Sequence, residues 1–209
     1  MMDSGSKAIF IPVPLLPDEP GRHGAQFAQA LGIRSVKDID TLFHVGSWSV
    51  VPKLAVDIGA VEVNDHVVYF LNNFGAGLDT LIGEAGGLEG IGPQGLLRLA
   101  KECPVDSLAI RLPGYSRITH YFNIAVSNGP RIGIIPFDTR AYLNDGRMQL
   151  CVHSSKLATP LHLFLARVGV HLDGFGQTWL PVYETVSLDT QLPVQARVDG
   201  EMVGPAAHY

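Results

Sequence analysis

From Val50 to the C-terminus, short apolar runs alternate with turn-forming residues, a texture that an antiparallel β-framework satisfies and a helical bundle does not. Leu54, Val56 and Ile58 alternate with Lys53 and Asp57, and Val61-Glu62-Val63, the turn Asn64-Asp65 and the run 67–71 read as a hairpin. Further strands are predicted at 107–112, 117–127, 148–153, 178–183, 185–188 and 194–198, with Asp189-Thr190 and Asp199-Gly200 as turns. Three polar turns end apolar runs: Asn128-Gly129-Pro130-Arg131-Ile132-Gly133, Asn144-Asp145-Gly146-Arg147-Met148 and Val198-Asp199-Gly200-Glu201. Carboxylates on such turns suit a metal or a catalytic base, because the flanking strands hold the backbone while the side chain stays free.

Helical spacing interrupts this framework at 78–84 and at 93–102, where Pro93 occupies the first turn and Leu96, Leu97, Leu99 and Ala100 form an apolar stripe. A third helix is predicted over 157–168, with Leu161, Phe164, Leu165 and Val168 on one core-facing side. Before Val50 the pattern differs: a strand at 8–13 ending near Pro12, then short helices at 23–31 and 36–43. The economical architecture is mainly β with helices, a β-sandwich carrying a short α/β N-terminal segment.

With 209 residues the chain is long enough to bury roughly 70% of its unfolded surface, and 46% hydrophobic content supplies the core. A formal net charge of −5 without a basic cluster gives no attraction for nucleic acid. Cys103 and Cys151 have no zinc-ligand spacing, which disfavours both a metal knuckle and a disulfide framework and suits a reducing compartment. No run reaches ~18 apolar residues, and 8–16 carries two prolines and no cleavage pattern, so the expectation is a cytoplasmic protein, not integral to a membrane, with peripheral membrane contact left open. Ser127 lies in no Gly-x-Ser-x-Gly pattern, and the eight histidines lack a zinc-hydrolase spacing.

An ordered series of motifs resembles the diacylglycerol and sphingosine lipid kinases, specifically the C-terminal lobe of the bacterial soluble members, a β-sandwich that is also similar to that of NAD kinase-like proteins. Phe27-Ala28-Gln29-Ala30-Leu31-Gly32-Ile33 resembles the family's Phe-Ala-x-x-Leu-Gly helix, and the stretch from Tyr69 through Asn73, Gly75 and Gly77 to Asp79 resembles its Asn-x-x-x-x-Gly-x-Asp strand and turn. Val126-Ser127-Asn128-Gly129, the loop from Ala141 to Gly146, Gly169-Val170-His171 and Val198-Asp199-Gly200-Glu201 follow in family order. The resemblance implies residues 1–46 as a remnant of the nucleotide-binding α/β lobe and 47–209 as the β-sandwich substrate lobe.

It further implies ATP as co-substrate, Mg²⁺, a lipid substrate, and either a homo-oligomer or a separate nucleotide-binding lobe as partner. Glu201 matches the family's general base, and its pattern alone also reads as an exposed residue after a hairpin turn. Asp145 matches a carboxylate that holds a structural Mg²⁺ with backbone carbonyls, here those of Tyr142 and Arg147, and its pattern alone reads as an Asn-Asp-Gly turn. Asn73, Gly75, Gly77 and Asp79 form a further candidate loop, or a bend before a helix. The family's phosphate-cradling Gly-Gly-Asp-Gly-Thr loop has no counterpart, Gln26 stands where the family carries an acidic residue, and the chain ends soon after Glu201 where the family continues into a closing strand. These departures imply a fragment that is inactive alone, or a non-catalytic lipid- or partner-binding module.

Overall fold

The computed structural model describes residues 56–87, 90–129, 131–132, 135–136, 142–166, 170, 174 and 176–209. The N-terminal strand and helices, Gln26 and the boundary between 1–46 and 47–209 fall outside these residues, as do Ala141, Gly169 and His171.

The Asn64-Asp65 turn forms as its residues predict. Both adopt left-handed backbone, φ 51° and 63°, the geometry of a two-residue turn whose twist matches the strands it joins. It connects β1 (Gly59–Val63) to β2 (His66–Phe70), and β1 alternates buried and exposed positions so that Val61 and Val63 face inward. The hairpin covers one face of an eight-stranded sheet built from β3 (Asn73–Gly77), β4 (Asp106–Leu112), β5 (Tyr115–Tyr121), β6 (Asn123–Ser127), β9 (Met148–His153), β10 (Gln177–Val182), β11 (Ser187–Val198) and β12 (Glu201–His208). The order is β10-β9-β6-β3-β11-β4-β5, with β12 also paired to β11, and every pairing is antiparallel. A separate two-strand ribbon joins β7 (Arg131–Ile132) to β8 (Ile135–Pro136).

The sheet is apolar on both faces, which is why β3, β6 and β9 are buried along almost their whole length. On the hairpin side Phe74, Ile124, Val126, Leu150 and Val198 meet Val61, Val63 and Phe70. On the other side lie α1 (Leu78–Glu84), α2 (Pro93–Glu102) and α3 (Ala158–Ala166), whose Leu78, Ile82, Leu96, Ala100 and Leu163 gather around Phe122. The mainly β architecture with helices is thus observed, and α1 and α2 have the predicted bounds.

Three expectations are corrected. The predicted strand 117–127 is two strands, because the Phe122 carbonyl accepts the Leu78 N–H at 3.0 Å, its N–H donates to His153 at 3.1 Å, and its ring turns into the helix-side cluster. Asp189-Thr190 is no turn: both residues pair with β4, and the irregularity falls between Asp189 and Val194, where Pro193 cannot donate to a ladder. On α3 the inward side is opposite to the one predicted, since Ala158, His162, Leu163 and Ala166 are buried while Leu161 and Phe164 are exposed.

Candidate functional site

The tip of the β11–β12 hairpin is held by one carboxylate. Asp199 adopts φ 46°, a conformation that Asp tolerates better than most residues, and so precedes Gly200 in a tight turn. From there its Oδ2 accepts the Leu71 N–H at 2.7 Å, and its Oδ1 accepts those of Asn72 at 2.8 Å and Asn73 at 3.0 Å. Its own N–H donates to the Asn73 carbonyl at 2.8 Å. Three successive backbone donors converging on an anion make a strong, directional clamp. Glu201, two residues on, is exposed at the start of β12.

The same connection is held from its other side. Asn128 Nδ2 donates to the Leu71 carbonyl at 3.0 Å and to the Asp57 carbonyl at 2.6 Å, while the Asn128 N–H donates to the Asn72 carbonyl at 2.8 Å. Asp57 in turn binds the 143–146 turn, donating its N–H to the Leu143 carbonyl at 2.7 Å and accepting the Gly146 N–H on Oδ2 at 2.8 Å. The turns bearing Asp145 and Glu201 are therefore both stitched to residues 71–73. Asn73 and Ser127 face each other across β3 and β6, and the Oδ1 atoms of Asn73 and Asn128 and the Ser127 Oγ are buried without a hydrogen-bond partner among the described residues.

Asn73, Gly75 and Gly77 do not form a loop; they lie on one face of β3, and Asp79 falls in the first turn of α1. Each glycine permits a close approach. A Cβ on Gly75 would stand 2.3 Å from the Asp79 carboxylate, and one on Gly77, at φ 82°, would stand 2.3 Å from the Phe122 carbonyl. Asp79 does not cap α1 with its carboxylate; its N–H donates to Asn123 Oδ1 at 2.7 Å. Burial raises the Asp79 pKa above the usual carboxylate value, and the nearby Arg197 guanidinium opposes that rise. Arg197 crosses Gly83 and donates from Nε and Nη2 to the Gly200 carbonyl at 3.1 and 2.7 Å, linking α1 to the residue before Glu201.

Asp145 is already engaged. Its Oδ2 lies 2.8 Å from Arg147 Nε, and its Oδ1 accepts the Arg147 N–H at 3.3 Å. A Mg²⁺ ion held by Asp145 would have to displace this guanidinium; among the described residues no three His, Cys, Asp or Glu side chains group together. Addition of millimolar Mg²⁺ is accordingly expected to leave the thermal midpoint of the wild-type chain within about 1 °C, while Arg147→Gln, which frees the carboxylate, should gain a Mg²⁺-dependent rise. Equal rises in both would return Asp145 to the role of a pre-formed metal ligand.

Beside this turn a cavity of about 940 Å³ opens between the β1–β2 hairpin and the sheet. Asp57, Gly146 and Arg147 line one part of it, and Val61, Phe74 and Val126 give it an apolar wall. Sequence reading passed over Asp57, Asn123 and Arg197 and took Asp199 only as a turn residue. The Asp-Gly pair did signal the left-handed bend, but no local pattern announces partners 126 to 128 residues away.

The sequence matches no family model, and no curated protein matches it. Among solved structures the chain is similar to a "putative diacylglycerol kinase" from Bacillus anthracis str. Sterne, with 18% identity, a TM-score of 0.61 and coverage of 91% of this chain and 62% of that one. A second structure, also of a diacylglycerol kinase from that organism, gives 16% identity and a TM-score of 0.55 over 87% of this chain and 60% of that one. The likeness establishes the fold, and the chain spans less than two thirds of the length of either neighbour. No helix among the described residues is long and apolar enough to cross a membrane.

Proposed function

We propose that this chain is a lipid kinase-related protein whose β body presents a lipid hydroxyl, of diacylglycerol type, to the γ-phosphoryl group of MgATP held by a nucleotide-binding lobe. The observation that supports the reading best is the Asp199 clamp, which sets the turn bearing Glu201 against Asn72 and Asn73, while Asn128 and Asp57 join that same connection to the rim of the cavity. In the reaction Glu201 accepts the hydroxyl proton as the lipid oxygen bonds to the γ-phosphorus. The bridging P–O bond to the β-phosphate breaks, ADP leaves, and Glu201 returns its proton to solvent. Arg197 and Asp199 act as positioning residues, because they touch the Glu201 turn and not the reacting atoms.

The test is ATP-dependent phosphorylation of diacylglycerol in mixed micelles by the chain supplied with a nucleotide-binding lobe. Glu201→Gln, an exposed isosteric change, should lower turnover by about 10²- to 10⁴-fold without changing stability. Unchanged turnover removes Glu201 from the mechanism. One observation favours a second reading, a lipid- or partner-binding module without catalysis: the Asp145 carboxylate is already paired with the Arg147 guanidinium. Calorimetry separates the two, since saturable Mg²⁺-dependent ATP binding belongs to the kinase, and absence of heat at millimolar ATP belongs to the module.

A further inference from the structure

One end of the helix-side face of the sheet carries oxygen atoms where the opposite face carries hydrocarbon. Phe74, Val126 and Leu150 belong to the hairpin-side cluster, so their strand neighbours Asn73, Ser127 and Gln149 point the other way. These three stand opposite one another on β3, β6 and β9 and are 5%, 0% and 6% exposed, buried although polar. Asn73 directs both its N–H and its C=O to Asp199, away from β6, at 3.0 and 2.8 Å. Asn73 and Ser127 therefore form a non-hydrogen-bonded pair, the kind whose facing side chains approach most closely. Even so the two groups do not bond each other. Asn73 Oδ1 and Ser127 Oγ are both buried without a hydrogen-bond partner among the described residues, a condition that buried polar atoms rarely keep.

A carboxylate stands beside them. Gly75 follows Asn73 on the same face, about 7 Å further along the strand. The Asp79 Oδ2 atom lies 2.3 Å from where a Gly75 Cβ would be, so the missing side chain lets this carboxylate reach the sheet. Among the described residues no hydrogen bond is donated to it; Arg197, the nearby cation, places Nη1 on the Asp79 carbonyl instead, at 3.4 Å.

Amide, hydroxyl and carboxylate oxygens are the ligands that a hard cation takes from a protein, and the set holds no nitrogen or sulfur for a transition metal. Charge narrows the choice. One carboxylate with a guanidinium close by offsets a single positive charge and not two, and a patch made mainly of neutral oxygens suits an alkali ion, as carbonyl oxygens suit K⁺. A water molecule would supply hydrogen bonds but leave the carboxylate without a positive charge in contact.

We propose that Asn73, Ser127 and Asp79, with Gln149 at the edge, bind one monovalent alkali cation, Na⁺ or K⁺, on the helix side of the β3–β6 pair. The ion braces the strand end that Asp199 clamps through the backbone of Asn73. It takes no part in phosphoryl transfer, and a chain without catalysis carries the same site.

Thermal unfolding of the full chain in KCl, NaCl or tetramethylammonium chloride at one ionic strength tests the site, because tetramethylammonium is too large to enter. One alkali salt should raise the midpoint by about 5 °C or more over tetramethylammonium, the shift given by about 100 mM of an ion held with a dissociation constant near ~1 mM. The salt with the larger rise identifies the ion. Asp79→Asn, which keeps the shape and removes the charge, should abolish the rise. Ser127→Ala should at least halve it, yet in tetramethylammonium its midpoint should equal or exceed that of wild type, since a buried hydroxyl without a partner has been removed. If one variant fails to fold, the other is read alone. Equal wild-type midpoints in the three salts overturn the proposal and mark a buried water only. A rise that survives both substitutions also overturns it, because the ion then acts elsewhere.

Discussion

Replacing Asp199 by alanine is expected to destabilise the chain by about 3–5 kcal/mol, because three backbone N–H groups lose a charged acceptor at once and are left facing a methyl group. Two effects add. The donors of Leu71, Asn72 and Asn73 sit in a partly buried connection where water replaces the carboxylate incompletely, and alanine is strained at φ 46° where aspartate is tolerated. Asp199→Asn separates these effects, since asparagine suits the same backbone and keeps one oxygen for the Asn72 and Asn73 donors. That variant should lose about 1–2 kcal/mol. Urea unfolding at neutral pH measures both, and an alanine variant within about 1 kcal/mol of wild type would mean that the clamp contributes little.

Acidification is expected to unfold the chain through His153. Asp79 donates its N–H to Asn123 Oδ1, which turns Asn123 Nδ2 toward His153 Nδ1 at 3.1 Å, so the imidazole accepts at Nδ1 and carries its proton on Nε2. Burial, followed by the facing His162, lowers the His153 pKa from 6.5 to about 3. The unfolded chain therefore binds one proton more than the folded chain between those values. Stability is full above pH 6.5 and falls by up to ~1.4 kcal/mol per pH unit as the pH drops toward 3. Asp79 acts in the opposite sense: its raised pKa favours the folded state below the usual carboxylate range and loses that contribution as the pH rises through the folded value. His153→Gln, whose amide can still accept from Asn123, should flatten the slope between pH 6 and 4 by about one proton. An unaltered slope would assign the acid sensitivity to other groups.

The parts of the fold legible in the sequence are those governed by near neighbours. Asn64-Asp65 sets a hairpin because both residues accept left-handed backbone, and Pro93 opens α2 because its missing N–H is not needed there. Residues 117–127 read as one strand because apolar alternation carries no record of Phe122 bonding to Leu78 and His153, partners that belong to other elements. The reversed facing of α3 has a similar origin. Periodicity puts the largest apolar residues inward, and His162, buried beside Gln177, takes an inward place that its polarity argues against. For the candidate site, resemblance pointed to Glu201 and Asp145, but the groups that hold their turns, Asp57, Asn128 and Asp199, act across long separations that spacing cannot reveal.

Because β11 borders both β3 and β4 and also carries β12, the centre of the sheet cannot be completed until the last part of the chain has been made. The N-terminal portion of the sheet must wait during synthesis with the flank of β3 unsatisfied, and closure joins residues more than a hundred positions apart, a topology that slows folding. The turn bearing Glu201 is assembled by this late closure. A ribosome-released chain that stalls before it would have helices and outer hairpins in place yet no clamp, exposing a bare strand edge to aggregation or to chaperones.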